Sequence, residues 1–223
     1  PSPIILDFDG DGIETVALAS GAWFDHAGDG FAERTGWVGR DDALLVQDLD
    51  GNGRIESGRE LFGSETLLAH GAKAAHGFAA LAELDANGDR RIDASDPAFA
   101  RLRVWQDADG NGHSDAGELR SLDQVGVQGI DVAYANSNHV DANGNQHRQL
   151  GRYTGTDGQR RAATDVWFQT DATHSVPTQW AQVPTDIAAL PDAQGYGRVR
   201  DLQQAMAMDG TGELKAMVRA FTQ

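Results

Sequence analysis

Cysteine is missing from the 223-residue chain, which removes disulfides, thiolate zinc sites and cysteine nucleophiles together. No run of about 18 apolar residues is present to span a bilayer, and Pro1 does not open a signal peptide. A chain that starts at proline without an initiator methionine is expected to be a fragment or a processed product. The sequence also lacks a G-x-S-x-G elbow, a P-loop, an H-E-x-x-H helix and a G-x-G-x-x-G turn, so the usual hydrolase, nucleotide and dinucleotide readings have no support. No two of the seven histidines have the short helical or hairpin spacing of a zinc site. Basic residues are scarce, 18 against 34 acidic, and lysine occurs only at Lys73 and Lys215. The resulting net charge of −16 makes nucleic acid and anionic membranes poor partners.

What the chain has in quantity is carboxylate packed into glycine-rich clusters, within a 40% apolar composition able to build a core. Such clusters repel unless a hard cation neutralises them, so the metal-free chain is expected to be loosened or unfolded. The fullest cluster is Asp107-Ala-Asp-Gly-Asn-Gly-His-Ser-Asp-Ala-Gly-Glu118. Asp107, Asp109, Asn111, Asp115 and Glu118 take positions 1, 3, 5, 9 and 12 of a calcium loop, His113 offers its carbonyl at position 7, and Gly112 gives the turn at position 6. A second loop has Asp85, Asn87, Asp89, Asp93 and Asp96 at the ligand positions and Arg91 at position 7. Arg90 stands where glycine is preferred, at a cost on the order of 1 kcal/mol. A third has Asp48, Asp50, Asn52, Arg54 and Glu56, but its closing acid, Glu60, comes one residue late. Half-loops occur at Asp7, Asp9 and Asp11, with no acid at position 12, and at Asp25 and Asp29, with Glu33 as a helper. Asp141, Asn143 and Asn145 fit a hairpin turn as well as an ion site. The implied cofactor is Ca2+, several ions per chain, and the millimolar calcium that such loops require points to an extracellular setting.

Around these loops the patterning predicts strands at 3–8, 13–18, 128–134, 148–153 and 163–168, the last three forming an antiparallel set. It predicts helices at 74–84, from Phe78, Leu81 and Leu84, and at 97–106, from Phe99, Leu102 and Trp105. Further helices are expected at 118–125, 199–208 and 212–221. The expected class is α+β, EF-hand-like calcium loops with short helices packed with antiparallel strands and hairpins. A module over 1–170 contains an EF-hand-like pair at 74–126, and 171–223 is a linker followed by a helical segment.

Pro1 draws attention for a chemical reason. A peptide bond before proline has a comparatively basic nitrogen, and an aspartate ahead of it can attack its own carbonyl, close a five-membered anhydride and expel the prolyl amine. Intramolecular placement of this kind is worth roughly 7–11 kcal/mol, and a fold could twist the amide and supply the proton. The internal Asp96-Pro97 bond is expected to be inert because Asp96 is assigned to a metal loop.

The run Pro1-Ser-Pro-Ile-Ile-Leu-Asp-Phe-Asp-Gly-Asp-Gly-Ile-Glu-Thr, followed by Phe24-Asp-His, Thr35-Gly-Trp-Val, Leu45-Val-Gln-Asp-Leu-Asp-Gly-Asn-Gly, Glu60-Leu-Phe-Gly and Leu102-Arg-Val-Trp-Gln-Asp, resembles the self-processing module of RTX-type iron-regulated secreted bacterial proteins. The resemblance is close over about 1–135 and looser to about 168. It implies calcium-driven folding, autocatalytic cleavage of an Asp-Pro bond, and an aspartyl anhydride that is hydrolysed or captured by a lysine as an isopeptide. It places the leaving proline at Pro1 and the processing ligands at Asp85, Asp96, Asp107 and Glu118. The expected partners are the upstream polypeptide of the same precursor and a lysine-bearing acceptor protein, and the expected route is type I secretion within a larger protein. The tail Gly195-Tyr-Gly-Arg-Val-Arg-Asp-Leu-Gln-Gln-Ala-Met resembles segments of large RTX adhesins and toxins, although no glycine-rich nonapeptide repeat is present. The rival reading is a calcium-stiffened structural or adhesive module without chemistry.

Overall fold

A computed structural model describes residues 1–222. Its organising element is a short strand, β1 (Ile4–Leu6), buried on both faces at the centre of a nine-stranded sheet. In chain order there follow β2 (Thr15–Val16), β3 (Trp23–Phe24), β4 (Phe31–Thr35), β5 (Trp37–Val38), β6 (Ala43–Val46), a six-residue helix α1 (Gly77–Ala82), β7 (Arg91–Asp93) and β8 (Arg103–Trp105). Then come β9 (Leu119–Ser121), β10 (Val127–Asp131), β11 (Ala135–Val140), β12 (Gln146–Gly155), β13 (Arg160–Trp167) and β14 (Thr170–Pro177). Short helices α2 (Thr185–Ala188), α3 (Leu202–Met208) and α4 (Glu213–Phe221) complete the described chain. The large sheet runs β7-β10-β12-β13-β1-β6-β8-β9, every pairing antiparallel, with β11 added on β12.

The central strands read as unbroken apolar runs because both faces of the sheet are covered, so successive residues enter different cores. Ile4, Leu6, Ala43, Leu45 and Val104 face one core, shared with Phe78 and Leu81 of α1 and with Phe62 and Leu102. Ile5, Leu44, Val46 and Trp105 face the other. There Trp37 packs edge-on to Trp105 at 5.5 Å between ring centres and stacks on Phe168 at 5.9 Å. β14, the start of the segment after residue 170, pairs with β4, which in turn pairs with β3.

The α+β expectation with EF-hand-like helix pairs is overturned: the protein is mostly β-sheet with few, short helices. The helix expected at 74–84 shrinks to α1. The one expected at 97–106 is a single 3-10 turn, Phe99–Arg101, followed by β8, and the one expected at 118–125 begins as β9. The spacing of Phe99 and Leu102 fits a helix, but it equally fits a turn that delivers Leu102 and Val104 to one core and Trp105 to the other. Pairing of Arg103–Trp105 with both β6 and β9 satisfies more backbone groups than an isolated turn of helix could.

Candidate metal centres and the N-terminal junction

The loop from 107 to 118 connects β8 to β9, and its hydrogen bonds follow from the short acidic side chains. Asp107, fully buried, accepts from the backbone N–H of Gly110 at 2.8 Å and Asn111 at 3.1 Å through Oδ1, and from Gly112 at 2.8 Å through Oδ2. The indole N–H of Trp37 donates to the same Oδ2 at 2.7 Å. Glu118 folds back from the far end, accepting from Ala108 N–H at 2.9 Å, Asp115 N–H at 3.0 Å and Trp105 Nε1 at 3.2 Å. Asn111 donates to Asp109 at 2.8 Å and to Asp115 at 3.0 Å. His113 at position 7 donates its backbone N–H to Asn111 Oδ1 at 2.6 Å. Carboxylate oxygens of Asp107, Asp109 and Glu118 thus lie within 4.8 Å of one another.

The 48–60 loop repeats this wiring. Asp48 caps Gly51 and Gly53 N–H, Asn52 bridges Asp50 and Glu56, and Arg54 N–H bonds Asn52. Glu60 reaches across the extra residue to Leu49 N–H at 3.2 Å and Glu56 N–H at 2.8 Å, and Asp48, Asp50 and Glu60 converge within the same 4.8 Å. In the 85–96 loop Asp85 caps Gly88 and Arg90 N–H, Asp89 caps Arg91 N–H, and Asp96 closes on Ala86 and Asp93 N–H. Arg90 holds a left-handed φ of 68°, the only non-glycine among the described residues to do so. Among the described residues this loop brings no three acids within the 4.8 Å that the other two achieve.

Burial shapes the protonation of these groups. It pushes the carboxyls of Asp107, Asp25 and Glu60 above their ordinary values, against the pull of the backbone N–H groups that cap them. An oxygen-rich pocket of partly desolvated acids, preorganised by backbone donors, fits a hard divalent cation such as calcium.

The half-loops fare differently. Asp7, Asp9 and Asp11 converge, and Asp9 also meets Glu14 and the fully buried Asp42. Asp42 accepts from Phe8 N–H at 3.3 Å and Glu14 N–H at 2.8 Å, and burial, with Glu14 beside it, lifts its carboxyl to about 8. Glu14 and Asp42 escape a sequence reading because they meet across 28 residues; the only signal was the acid pair Asp41 and Asp42 ahead of an apolar run. At the other half-loop, Arg198 pairs with Asp29 at 3.2 Å and with Glu33, so a guanidinium stands among those acids. Asp25 there caps Asp29 and Gly30 N–H. Asp141 is held by Thr15 at 2.6 Å and His147 at 3.1 Å, while Asn143 and Asn145 donate to the backbone of Thr15 and Val16, a tie between hairpin and β2.

The residues after Pro1 are gripped by the segment that leaves Glu60. Ile4 N–H donates to the Phe62 carbonyl at 2.8 Å, Ser64 N–H donates to the Ser2 carbonyl at 3.2 Å, and Pro3 bridges Gly63. Gly63 is required there, since a Cβ would sit 1.4 Å from the Ser2 carbonyl oxygen. On the other side the Pro3 carbonyl accepts from Val166 N–H at 2.9 Å, and Ile4 lies opposite Asp165.

Comparison with known proteins places this arrangement. Residues 4–169 match the family model of the SPM domain. The chain belongs to the SPM domain family. It is also 48% identical over 222 residues to the iron-regulated protein FrpA of Neisseria meningitidis serogroup C, covering 99% of this chain and about a fifth, 20%, of that relative. The SPM match takes in β1 to β13 and all three long acidic loops, and ends before β14. Arg198, the cation among Asp29 and Glu33, therefore lies outside the SPM boundary. Among the described residues no helix is long and apolar enough to cross a membrane.

Proposed function

We propose that this SPM domain folds on calcium and thereby cleaves an Asp-Pro bond whose proline is Pro1, leaving an aspartyl anhydride open to water or to a lysine amine. The observation that carries the reading is mechanical. The closing acid Glu60 is followed at once by Leu61–Ser64, the segment that clamps residues 2–4, so ordering the 48–60 loop positions the junction. The 107–118 loop acts through a second route, because it closes β8 on β9 and β8 is joined to β1 through β6.

Calcium bound at these loops would supply the charge neutralisation that lets Asp48, Asp50 and Glu60, or Asp107, Asp109 and Glu118, remain together as carboxylates. The chain's own residues do the rest. An aspartate ahead of Pro1 would supply the attacking carboxylate, while in this chain the strand pairing of Ile4–Leu6 fixes the leaving side and buried Ser2 and Pro3 limit rotation about the bond. The anhydride suits the relative's large size, since a reactive end on a long chain can reach an acceptor elsewhere. Export to a calcium-rich exterior belongs to the same reading.

The test restores an aspartate before Pro1 and follows the precursor by mass spectrometry. With calcium, two fragments are expected, one ending in aspartate or its anhydride products and one beginning at Pro1; with chelator, none. A precursor that folds on calcium and stays whole for a day overturns the cleavage and leaves a calcium-stiffened structural module.

A further inference from the structure

One buried acid beside the junction is used by none of the metal loops. Asp165, on β13 opposite Ile4, has no solvent exposure. Its Oδ2 accepts from Gly77 N–H at the start of α1. Its Oδ1 is buried without a hydrogen-bond partner, and so is the Oγ of Ser2. Native interiors rarely leave buried polar atoms without a partner, and each such atom calls for an explanation. The charged groups acting on Asp165 are the nitrogen of Pro1 and the guanidinium of Arg148, with the hydroxyl of Ser2 close enough to stabilise the carboxylate though short of hydrogen-bond geometry. In the other direction burial, the largest influence, and Arg148 oppose positive charge on the Pro1 nitrogen, while Glu65, then Glu33, then Asp165 favour it.

Resting on the cleavage reading above, we propose that Asp165 is the acid that protonates the prolyl nitrogen of Pro1 as it leaves. The carboxylate of the preceding aspartate attacks its own peptide carbonyl carbon. The C–N bond to Pro1 breaks, its electron pair goes to nitrogen, and the carboxyl proton of Asp165 follows. The products are a cyclic anhydride, a secondary amine at Pro1 and a carboxylate at Asp165, so charge and protons balance without any co-reactant. Geometry favours this assignment over the neighbouring acids: Asp165 is paired across from the junction strand within the sheet, has an oxygen free, and is shielded from water that would otherwise hold its proton.

Protonation agrees with the role. Burial lifts the Asp165 carboxyl to about 7 even though the Pro1 ammonium pulls it down. In the uncleaved chain that nitrogen is an uncharged amide, so the downward pull is absent and Asp165 stays protonated at neutral pH. Cleavage should therefore require an ionised aspartate before Pro1 and a protonated Asp165, giving a bell-shaped rate profile whose alkaline limb falls at or above pH 7.

The experiment uses the precursor with aspartate before Pro1, in saturating calcium, with the fraction cleaved read by mass spectrometry and the fold by circular dichroism. D165N keeps an acceptor for Gly77 N–H but has no proton to give; it is expected to fold on calcium and to cleave about 10²-fold more slowly, without the alkaline limb. Cleavage of D165N within about threefold of the parent, with the same limb, overturns the proposal. If D165N does not fold, the parent decides: a rate that stays level or rises from pH 7 to the highest pH at which the spectrum is unchanged overturns it, and a decline within that range upholds it. A parent that never cleaves overturns the cleavage reading itself, an outcome distinct from either result with D165N.

Discussion

Asp42 shows what a single carboxyl does when it is removed from water without a cation beside it. Its folded value of about 8 lies above the ordinary 3.8, so between those limits the folded protein holds a proton that the unfolded chain has lost. With calcium held at a level that fills the long loops, the Asp42 contribution to stability should therefore fall as pH rises from about 4 to 8. D42N, which keeps one acceptor for Glu14 N–H, should flatten that decline and be more stable than the parent at pH 9 by about 2 kcal/mol, less than the full shift implies because Glu14 shares the proton. Urea titrations at pH 5 and pH 9 measure it; parallel pH dependence in the two proteins would contradict the assignment. Metal uptake runs the other way with pH. The acids lifted by burial at Asp107, Asp25 and Glu60 must release protons to become ligands, so calcium affinity should rise with pH, as calorimetry in two buffers of different ionisation heat can show.

At the scale of elements, the contact that ties the 48–60 loop to the junction runs through Gly63. G63A would force a methyl group against the Ser2 carbonyl, and the backbone there cannot yield without losing the Pro3 bridge and the Ser64 bond. The expected result is a loss of about 2 kcal/mol or more in calcium-saturated stability, with the amides of Ile4 and Ser64, which donate to Phe62 and Ser2, losing hydrogen-exchange protection first. Retained protection at Ile4 and Ser64 would show that the clamp accommodates the added methyl group. The turns of the long acidic loops were legible in the sequence because their carboxylates and amides recur at fixed spacing within one segment and capping is local, down to Glu60 reaching across its inserted residue. The flanking elements were not. Leu119 and Leu122 share a helical spacing, yet Leu119 sits in a strand paired with Trp105, and nothing local to 118–125 announces that partner. The groups that complete or border the sites, Glu14, Asp42, Arg198 and Asp165, were illegible for the same reason: each acts on residues far away in the chain.

At the scale of the whole molecule, a net charge of −16 is carried by a fold whose acids converge in several places, so self-repulsion opposes compaction until counter-charge arrives. Raising monovalent salt should lower the calcium needed for folding at low ionic strength, then compete with it once screening is complete. A folding midpoint in calcium that never moves with salt would mean that the loops, not the global charge, set the threshold.

The sheet's strand order carries a further consequence. β1 lies between β6 and β13, so the earliest part of the domain to be made is completed only by one of the latest. A nascent or truncated chain ending short of Arg160–Trp167 would leave the leading strand half-framed and, on the reading above, its preceding bond uncut. If the proposed cleavage holds, this order of strands would act as a timer, withholding scission until nearly the whole domain has emerged.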